Sequence, residues 1–303
     1  MHPITHLHKE KKMRTLKNIY QNQQSHWVGN GFHVTPLFSH MSDEQLQTSP
    51  FLMLDYAAPR EFAPNFSYPR GVGEHPHRGF ETVTIAYHGE VAHRDGSGAE
   101  GIISEGDVQW MTAGRGTVHE EFHSETFSQR GGVFEMAQIW VNLPREHKLV
   151  EPRYQHLSKE NIPQIELDGG SLKLIAGEYH GVQGAALTYS ELNIADVLVN
   201  ANATLRLSLP ETHNVSLVVR CGNVEFNQSA TAQAKDLAIF EREAGEILIH
   251  NLGDETAEIL LLSGVPIDEP IAAYGPFVMN TPEEIRESIE LFRRGELGSL
   301  QAA

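Results

Sequence analysis

Two pairs of side chains in the N-terminal half have the types and the spacing of metal ligands. His75 and His77 lie in the segment EHPHRGFETVT, and His119 and Glu121 repeat their spacing further along the chain. Because residues i and i+2 of a β-strand point to the same side of its sheet, each pair would present its side chains together. Two strand ends that approach each other would thus combine three imidazoles and one carboxylate. Pro76 indicates an edge strand or a strand start, where its missing N–H costs little.

This combination of ligands favours a metal ion with chemistry over a structural one. Neutral imidazole and carboxylate suit Fe, Mn, Ni, Cu or Zn. Four protein ligands on an octahedral ion leave two positions open, where a substrate oxygen and a second small molecule can be held together. Cys221 is the only cysteine and lies far from both segments, so a structural zinc site built from thiolates is not expected.

Two other carboxylates remain alternatives for the fourth ligand. Glu120 would face the opposite side of the strand that carries Glu121, so it ranks second. Glu81 follows His77 by four residues and would share its face, so it could replace or support Glu121. For three further histidines we expect ordinary polar positions rather than support of the ligands: His88, His93 and His123.

Two arginines flank the ligand segments. Arg78 or Arg115 could orient an anionic substrate, but a structural ion pair with Glu81 or Asp107 is an equally good interpretation.

The elements that must position these residues are short strands. Runs of β-prone residues alternate with Gly, Pro, Asp and Asn in both halves of the chain, which is typical of β-sandwiches and barrels. The predicted strands cover residues 51–55, 81–87, 89–93, 107–111 and 134–143, and then 172–176, 203–209, 215–219 and 246–250. We therefore predict an all-β chain of two tandem barrels that arose by duplication.

The domain boundary is expected around residues 144–153, where prolines interrupt the pattern. Residues 1–12 are predicted to be a flexible extension, 13–148 the metal-binding barrel, and 149–303 a second barrel without metal. Thr281-Pro282-Glu283-Glu284 is a capping box with proline at the first helical position, so it predicts a helix at about 282–294.

Composition limits the classes of function. The formal net charge of −17 argues against direct binding to nucleic acid, although it leaves a protein partner possible. The sequence contains no run of eighteen apolar residues, so it predicts no membrane span. The N-terminus lacks the apolar core of a secretory signal. The lone Cys221 fits a reducing cytosol, so we expect a cytoplasmic protein and a monomer. Met13 is an alternative start to Met1.

The segments that carry these residues resemble the pirin family of the cupin superfamily. The similarity rests on HPHRGFETVT, GDVQWMTAGRGTVHEE and GPFVMNTPEEI, with shorter runs at residues 26–32 and 51–59. It extends from about Met13 to Gly295.

The resemblance implies a bicupin, in which two antiparallel β-barrels (double-stranded β-helices) face each other and the N-terminal one holds one metal, usually Fe(II). By analogy the ligands are His75, His77, His119 and Glu121. Many cupins use the glutamate at the position of Glu81 instead, and in pirins it lies behind the ligands.

The resemblance also implies a function. Pirin-like proteins are associated with quercetin 2,3-dioxygenase activity, so the expected reaction is O₂-dependent cleavage of quercetin or a related flavonol, with Glu121 as both ligand and catalytic base. The alternative is a non-catalytic regulator that senses metal or redox state and acts through protein partners. A metal that serves stability alone is a third hypothesis.

Overall fold

The computed structural model describes residues 12–21, 24–39 and 45–300. The predicted flexible extension at residues 1–12 therefore lies outside the described residues, except for Lys12. Lys12 and Met13 already contact the second barrel, because the carbonyl of Lys12 accepts a hydrogen bond from the backbone N–H of Glu246 at 2.9 Å.

The N-terminal half forms a barrel from two antiparallel sheets. The first sheet has seven strands in the spatial order β12-β9-β6-β11-β4-β3-β2, and the second has four in the order β5-β10-β7-β8. The strands of the first sheet are β2 (His26–Val28), β3 (Phe32–Ser39), β4 (Phe51–Phe62), β6 (Phe80–His88), β9 (Val108–Thr112), β11 (Gly132–Asn142) and β12 (Arg153–Leu157). Those of the second are β5 (Gly71–His77), β7 (Val91–Asp95), β8 (Glu100–Ile103) and β10 (Thr117–His123).

The C-terminal half repeats this arrangement of seven and four strands. Its sheets have the orders β1-β22-β19-β24-β17-β14-β13 and β18-β23-β20-β21. The larger sheet contains β1 (Leu16–Tyr20), β13 (Gln164–Leu167), β14 (Gly170–Ala176), β17 (Leu192–Val199), β19 (Asn214–Cys221), β22 (Leu237–Phe240) and β24 (Ala257–Gly264). The smaller contains β18 (Thr204–Ser208), β20 (Asn223–Phe226), β21 (Ala230–Gln233) and β23 (Glu246–Asn251).

In the described part of the chain, the remaining elements are two hairpins and a few short helices. The hairpins are β15 (Glu178–Tyr179) with β16 (Val182–Gln183), and β25 (Ala272–Tyr274) with β26 (Phe277–Met279). The helices are α1 (Gln45–Thr48), α2 (Glu125–Arg130) and α3 (Pro282–Arg293), with 3₁₀ turns at Arg145–His147 and Lys159–Asn161. Thr281 caps α3 through the predicted capping box, and α3 packs against the β25–β26 hairpin. Within the described residues, no helix has the length and apolar character that crossing a membrane requires.

The two larger sheets face each other and share one core. A single apolar cluster joins residues of the N-terminal barrel, such as Ile85 and Trp110, to residues of the C-terminal barrel, such as Ile194 and Leu260. This arrangement confirms the predicted all-β bicupin.

Strand pairing crosses the proposed division at residues 148 and 149 in both directions. β1 precedes the N-terminal barrel in sequence but pairs with β22 of the C-terminal sheet. β12 follows the division but pairs with β9 of the N-terminal sheet. The division remains a proposal. Each barrel takes one strand of its larger sheet from the other side of this division.

Candidate metal centre

The three predicted histidine ligands come from two neighbouring strands of the four-stranded sheet. β10 lies between β5 and β7, and His119 is directly opposite His75 on β5 and Asp95 on β7. Directly opposed residues of an antiparallel pair project from the same face. β5 is the edge of its sheet, as Pro76 predicted, so the proline removes no ladder hydrogen bond on its open side.

A sharp corner follows the first two predicted ligands. The chain leaves β5 after His77 and enters β6 of the other sheet at Phe80. Gly79 makes this corner with a φ of +89°, and a Cβ there would lie 2.0 Å from the carbonyl oxygen of Val278. Only glycine fits the corner, because a side chain would meet both an unfavourable backbone conformation and a rigid neighbour.

His75, His77 and His119 form a compact cluster. Each offers a ring nitrogen that lies within 4.8 Å of the others. The ring centroids are 4.3 Å apart for His75 and His119 and 4.8 Å apart for His77 and His119. His77 and His119 are buried, whereas His75 is partly exposed. A metal held here would therefore be reached from the side of His75.

The hydrogen bonds of the cluster leave nitrogen atoms free for a metal. Nδ1 of His75 lies 2.9 Å from the carbonyl oxygen of Gly73, which can only accept, so Nδ1 carries the hydrogen and Nε2 is free. Nδ1 of His77 and Nε2 of His119 are buried without a hydrogen-bond partner. Buried polar atoms are rarely left without a partner, so these two fit an ion.

The surroundings keep the two buried imidazoles neutral, which is the form that binds metal. Burial lowers the pKa of His77 well below its usual value, and neighbouring His75 adds to the effect. The pKa of His119 is lowered well below its usual value by burial and by the other histidines. Neutral imidazole has a free electron pair for coordination, so the electrostatics agree with the geometry.

Glu121 belongs to a second, overlapping cluster. One of its carboxylate oxygens lies within 4.8 Å of ring nitrogens of His93 and His119. The structure therefore brings the three predicted histidines together and places Glu121 beside His119, but it does not gather all four into one compact set. Glu121 as the fourth ligand stays a prediction.

Three donors from the barrel interior hold the Glu121 carboxylate. Its Oε1 accepts hydrogen bonds from Gln109, through Nε2, and from Thr84, at 3.2 Å. Its Oε2 accepts one from Nε2 of Gln138 at 2.9 Å. All three partners donate hydrogen bonds to the carboxylate, so they fix its position.

Neither alternative carboxylate joins the clusters. Glu120 faces away from them and pairs with Arg94 at 2.5 Å. The prediction that Glu81 shares the face of His77 is wrong, because the corner at Gly79 moves Glu81 into the other sheet. There it accepts a hydrogen bond from Thr112 at 2.7 Å, and burial raises its pKa to about 7.

The flanking arginines have structural partners, although not the predicted ones. Arg78 is buried and donates to Oγ of Ser288 on α3 at 2.9 Å. Arg115 pairs with Glu151 at 2.8 Å. Orientation of a substrate by either arginine finds no support in these contacts.

The sequence analysis did not identify four side chains that lie behind the predicted ligands. From the sequence, His93 is expected at an ordinary polar position. No role is predicted for Asp95, Gln109 or Gln138. One signal was available, since His93 and Asp95 repeat the two-residue spacing of the ligand pairs in the run VAHRD. No comparable pattern marks the two glutamines, because their partners come from other strands.

An aromatic wall closes the buried side of the histidine cluster. The rings of Phe80 and Trp140 are 4.3 Å apart, and both lie against His77, at 5.1 and 5.4 Å between ring centroids. Phe80 is completely buried. Trp140 is partly buried, so the wall consists of one fully buried ring and one ring that reaches toward the surface.

Comparison with known proteins agrees with this architecture. Residues 31–141 match the Pirin family profile, and residues 194–298 match that of the Pirin C-terminal cupin domain. A Pseudomonas aeruginosa protein named "Putative quercetin 2,3-dioxygenase PA2418" is 48% identical over 285 residues, which are 93% of this chain and 98% of that protein. A pirin-like protein of Solanum lycopersicum is 38% identical over 251 residues, or 82% of each chain.

A solved structure shows the same fold over nearly the whole chain. The crystal structure of quercetin 2,3-dioxygenase from Acinetobacter baumannii has a TM-score of 0.91 and 49% sequence identity, and the match covers 95% of this chain and 100% of that one.

Proposed function

Because this chain belongs to the pirin family, we propose that it is a metal-dependent dioxygenase that cleaves quercetin or a related flavonol with O₂. The observation that carries the proposal is the cluster of His75, His77 and His119, with two buried ring nitrogens that have no other partner. The relatives named for quercetin 2,3-dioxygenase activity support the choice of substrate.

The proposed ligands are the three histidines and Glu121, and the proposed metal is Fe(II), with Mn, Ni, Cu or Zn as alternatives. When bound, such an ion supplies a Lewis acid that favours ionisation of the flavonol 3-hydroxyl. The overall reaction consumes one O₂ per flavonol, opens the oxygen-containing ring and releases one ring carbon as carbon monoxide.

The protein's own residues divide the remaining tasks. We propose that the Glu121 carboxylate accepts the proton of the 3-hydroxyl, and that Gln109 and Gln138 hold it in position for this step. We propose that Phe80 and Trp140, which both pack against His77, shield that ring from solvent. The partly exposed His75 marks the side from which an aromatic substrate would enter.

The test is a flavonol assay on iron-loaded protein. The wild type should consume quercetin only in the presence of O₂ and release carbon monoxide in equal amount. His77→Ala should lose this activity together with the metal. Luteolin, a flavone without the 3-hydroxyl, is the matched control substrate and should be left intact.

The assay also separates this function from the regulatory alternative. If metal-loaded wild type leaves quercetin unchanged in air, the dioxygenase proposal is wrong. A non-catalytic metal sensor that acts through a protein partner would then be the better explanation.

A further inference from the structure

His93 and Asp95 lie directly behind one of the proposed ligands. Nδ1 of His93 is 3.4 Å from Nδ1 of His119, and Nε2 of His93 is 3.2 Å from Oδ2 of Asp95. Both side chains are almost completely buried, with exposed fractions of 0% for His93 and 2% for Asp95. The ring of His93 also stacks on Tyr154 at 4.7 Å with an angle of 18° between the planes, so its orientation is fixed.

The positions of the hydrogens in the series His119–His93–Asp95 can be assigned by elimination. If His119 offers its unpartnered Nε2 to a metal, its hydrogen must be on Nδ1. Nδ1 of His93 must then accept, so the hydrogen of His93 is on Nε2. That nitrogen faces a carboxylate oxygen of Asp95, which accepts. The metal at Nε2 of His119, the contact between His119 and His93, and the contact between His93 and Asp95 therefore all require the same positions of the hydrogens.

The contacts of the other Asp95 oxygen keep Asp95 an acceptor, so the hydrogen bonds from His119 through His93 to Asp95 cannot reverse direction. Oδ1 accepts hydrogen bonds from the backbone N–H and hydroxyl of Ser97, at 2.8 and 2.5 Å, and from the backbone N–H of Ala99 at 3.3 Å. Burial raises the pKa of Asp95, but the hydrogen bonds from His93 and Ser97 outweigh it and hold the pKa below its usual value. Asp95 is therefore an anchored anionic acceptor.

We propose that His93 is a positioning residue of the metal site: its Nδ1 accepts the Nδ1–H of His119, and Asp95 fixes the tautomer of His93 that can do so. Hydrogen bonds of this kind orient a ligating imidazole and make it a stronger donor to the metal. The inference rests on the metal site of the proposed function, but it does not depend on flavonol turnover.

Asp95→Asn is the sharpest test. The asparagine oxygen must stay on the side of Ser97 and Ala99, where three donors need an acceptor, so its NH₂ faces His93. Nε2 of His93 must then accept, which moves its hydrogen to Nδ1, opposite the Nδ1–H of His119. Two donors would face each other, and His119 would lose its support.

The measurement is the affinity for Co²⁺, by competition with a chelator, together with the visible spectrum of the cobalt protein. Asp95→Asn should weaken binding by about 10- to 100-fold and change the spectrum, because the geometry of one ligand changes. Glu100→Gln, which removes an exposed carboxylate from the neighbouring strand β8, is the charge control and should bind as the wild type does.

Two substitutions of His93 complete the set. His93→Phe keeps a ring against Tyr154 but removes the acceptor, so it should weaken cobalt binding to the same degree as Asp95→Asn. His93→Asn returns an acceptor oxygen near the position of Nδ1 and should recover part of the affinity. If His93→Phe does not fold, Asp95→Asn decides the question.

Three outcomes would overturn the proposal. One is wild-type affinity in Asp95→Asn. Another is an equal loss in Glu100→Gln, which would indicate overall charge as the cause. The third is the loss of one coordinated imidazole, measured by X-ray absorption, in His93→Phe but not in Asp95→Asn, which would make His93 a ligand itself.

These results are distinct from the flavonol assay. Wild type that binds cobalt, with the expected losses in the variants, but does not consume quercetin would contradict the proposed function and leave this inference standing. Wild type that binds no cobalt would overturn both.

Discussion

The carboxylate of Glu121 is the residue whose role most needs a direct test. Its partners are all donors, and it lies beside His119, so it is fixed at the edge of the histidine cluster. We expect Glu121→Gln to weaken metal binding by at least about tenfold, because the neutral amide keeps the shape but loses the charge. Chelator competition with the purified protein measures this change.

Glu81→Gln is the matched control for that substitution. Glu81 is equally buried and also bonded to a barrel side chain, but it lies in the other sheet, away from the clusters. The metal affinity of Glu81→Gln should stay within about threefold of the wild-type value. This change is smaller than the roughly tenfold or greater loss expected when a hydrogen bond that supports a ligand is removed. If both variants lost metal affinity, or if neither did, the proposal that Glu121 is the fourth ligand would be contradicted.

The sequence predicted these residues unevenly. The three histidines could be found because spacing within one strand determines the face on which two side chains lie. Glu81 was misplaced because the same rule was carried across the corner at Gly79, where the chain changes sheet. The two-residue spacing of His93 and Asp95 was a local signal, but their place beside His119 depends on the register of β7 against β10, which no local pattern specifies.

At the scale of elements, one buried lysine joins the corner at Gly79 to the β25–β26 hairpin. Nζ of Lys148 donates to the carbonyl of Gly79 at 2.8 Å, to the side chain of Asn142 at 2.8 Å, and to the carbonyl of Val278 at 3.0 Å. Burial lowers the pKa of Lys148 to about 7, although Glu269 and Glu284 oppose the change.

This lowered pKa predicts a pH-dependent stability. Between about pH 7 and the ordinary lysine pKa, the unfolded chain binds the proton and the folded chain does not, so the free energy of unfolding rises with pH. Relative to Lys148→Met, the wild type should gain up to about 1.4 kcal/mol per pH unit from pH 7 to 9, and no slope is expected below pH 6. Urea unfolding at each pH measures the difference.

The control is Lys159→Met, at an exposed position. Its stability should follow the wild-type pH curve in parallel. A parallel curve for Lys148→Met as well would contradict the lowered pKa.

Strand positions were predictable, whereas strand partners were not. The predicted runs at residues 51–55 and 81–87 lie within β4 and β6, and the run at 134–143 passes the end of β11 by one residue. These positions could be found because alternation and turn residues are local signals. The exchange of β1 and β12 between the barrels depends on pairings between strands distant in sequence. Such pairings reflect the packing of the whole molecule, so the sequence boundary could not reveal them.

At the scale of the whole molecule, a buried ion network spans the two barrels. Arg220 of the C-terminal barrel donates through Nε and Nη2 to Glu135 of the N-terminal barrel, at 3.1 and 2.9 Å. Both side chains are only 5% exposed. Tyr87 lies under the guanidinium at 3.1 Å and donates to Asp196 across the same interface at 2.8 Å.

Removal of the arginine should therefore destabilise the molecule as a unit. Arg220→Leu leaves Glu135 buried without its cation, which is expected to cost about 3–5 kcal/mol of unfolding free energy. Glu135→Gln added to Arg220→Leu should recover part of this loss, since the uncompensated charge is gone. Arg293→Leu, which breaks a pair with Glu290 at 2.9 Å that is exposed on both sides, should cost less than about 1 kcal/mol.

Two optical probes can show whether the barrels still unfold together. All three tryptophans, Trp27, Trp110 and Trp140, lie in the N-terminal half, so fluorescence reports that barrel, whereas far-UV circular dichroism reports both. Because the apolar core between the larger sheets does not include Arg220, the two urea transitions of Arg220→Leu should shift together. Separate transitions would mean that the ion network, rather than the shared core, makes the two barrels one cooperative unit.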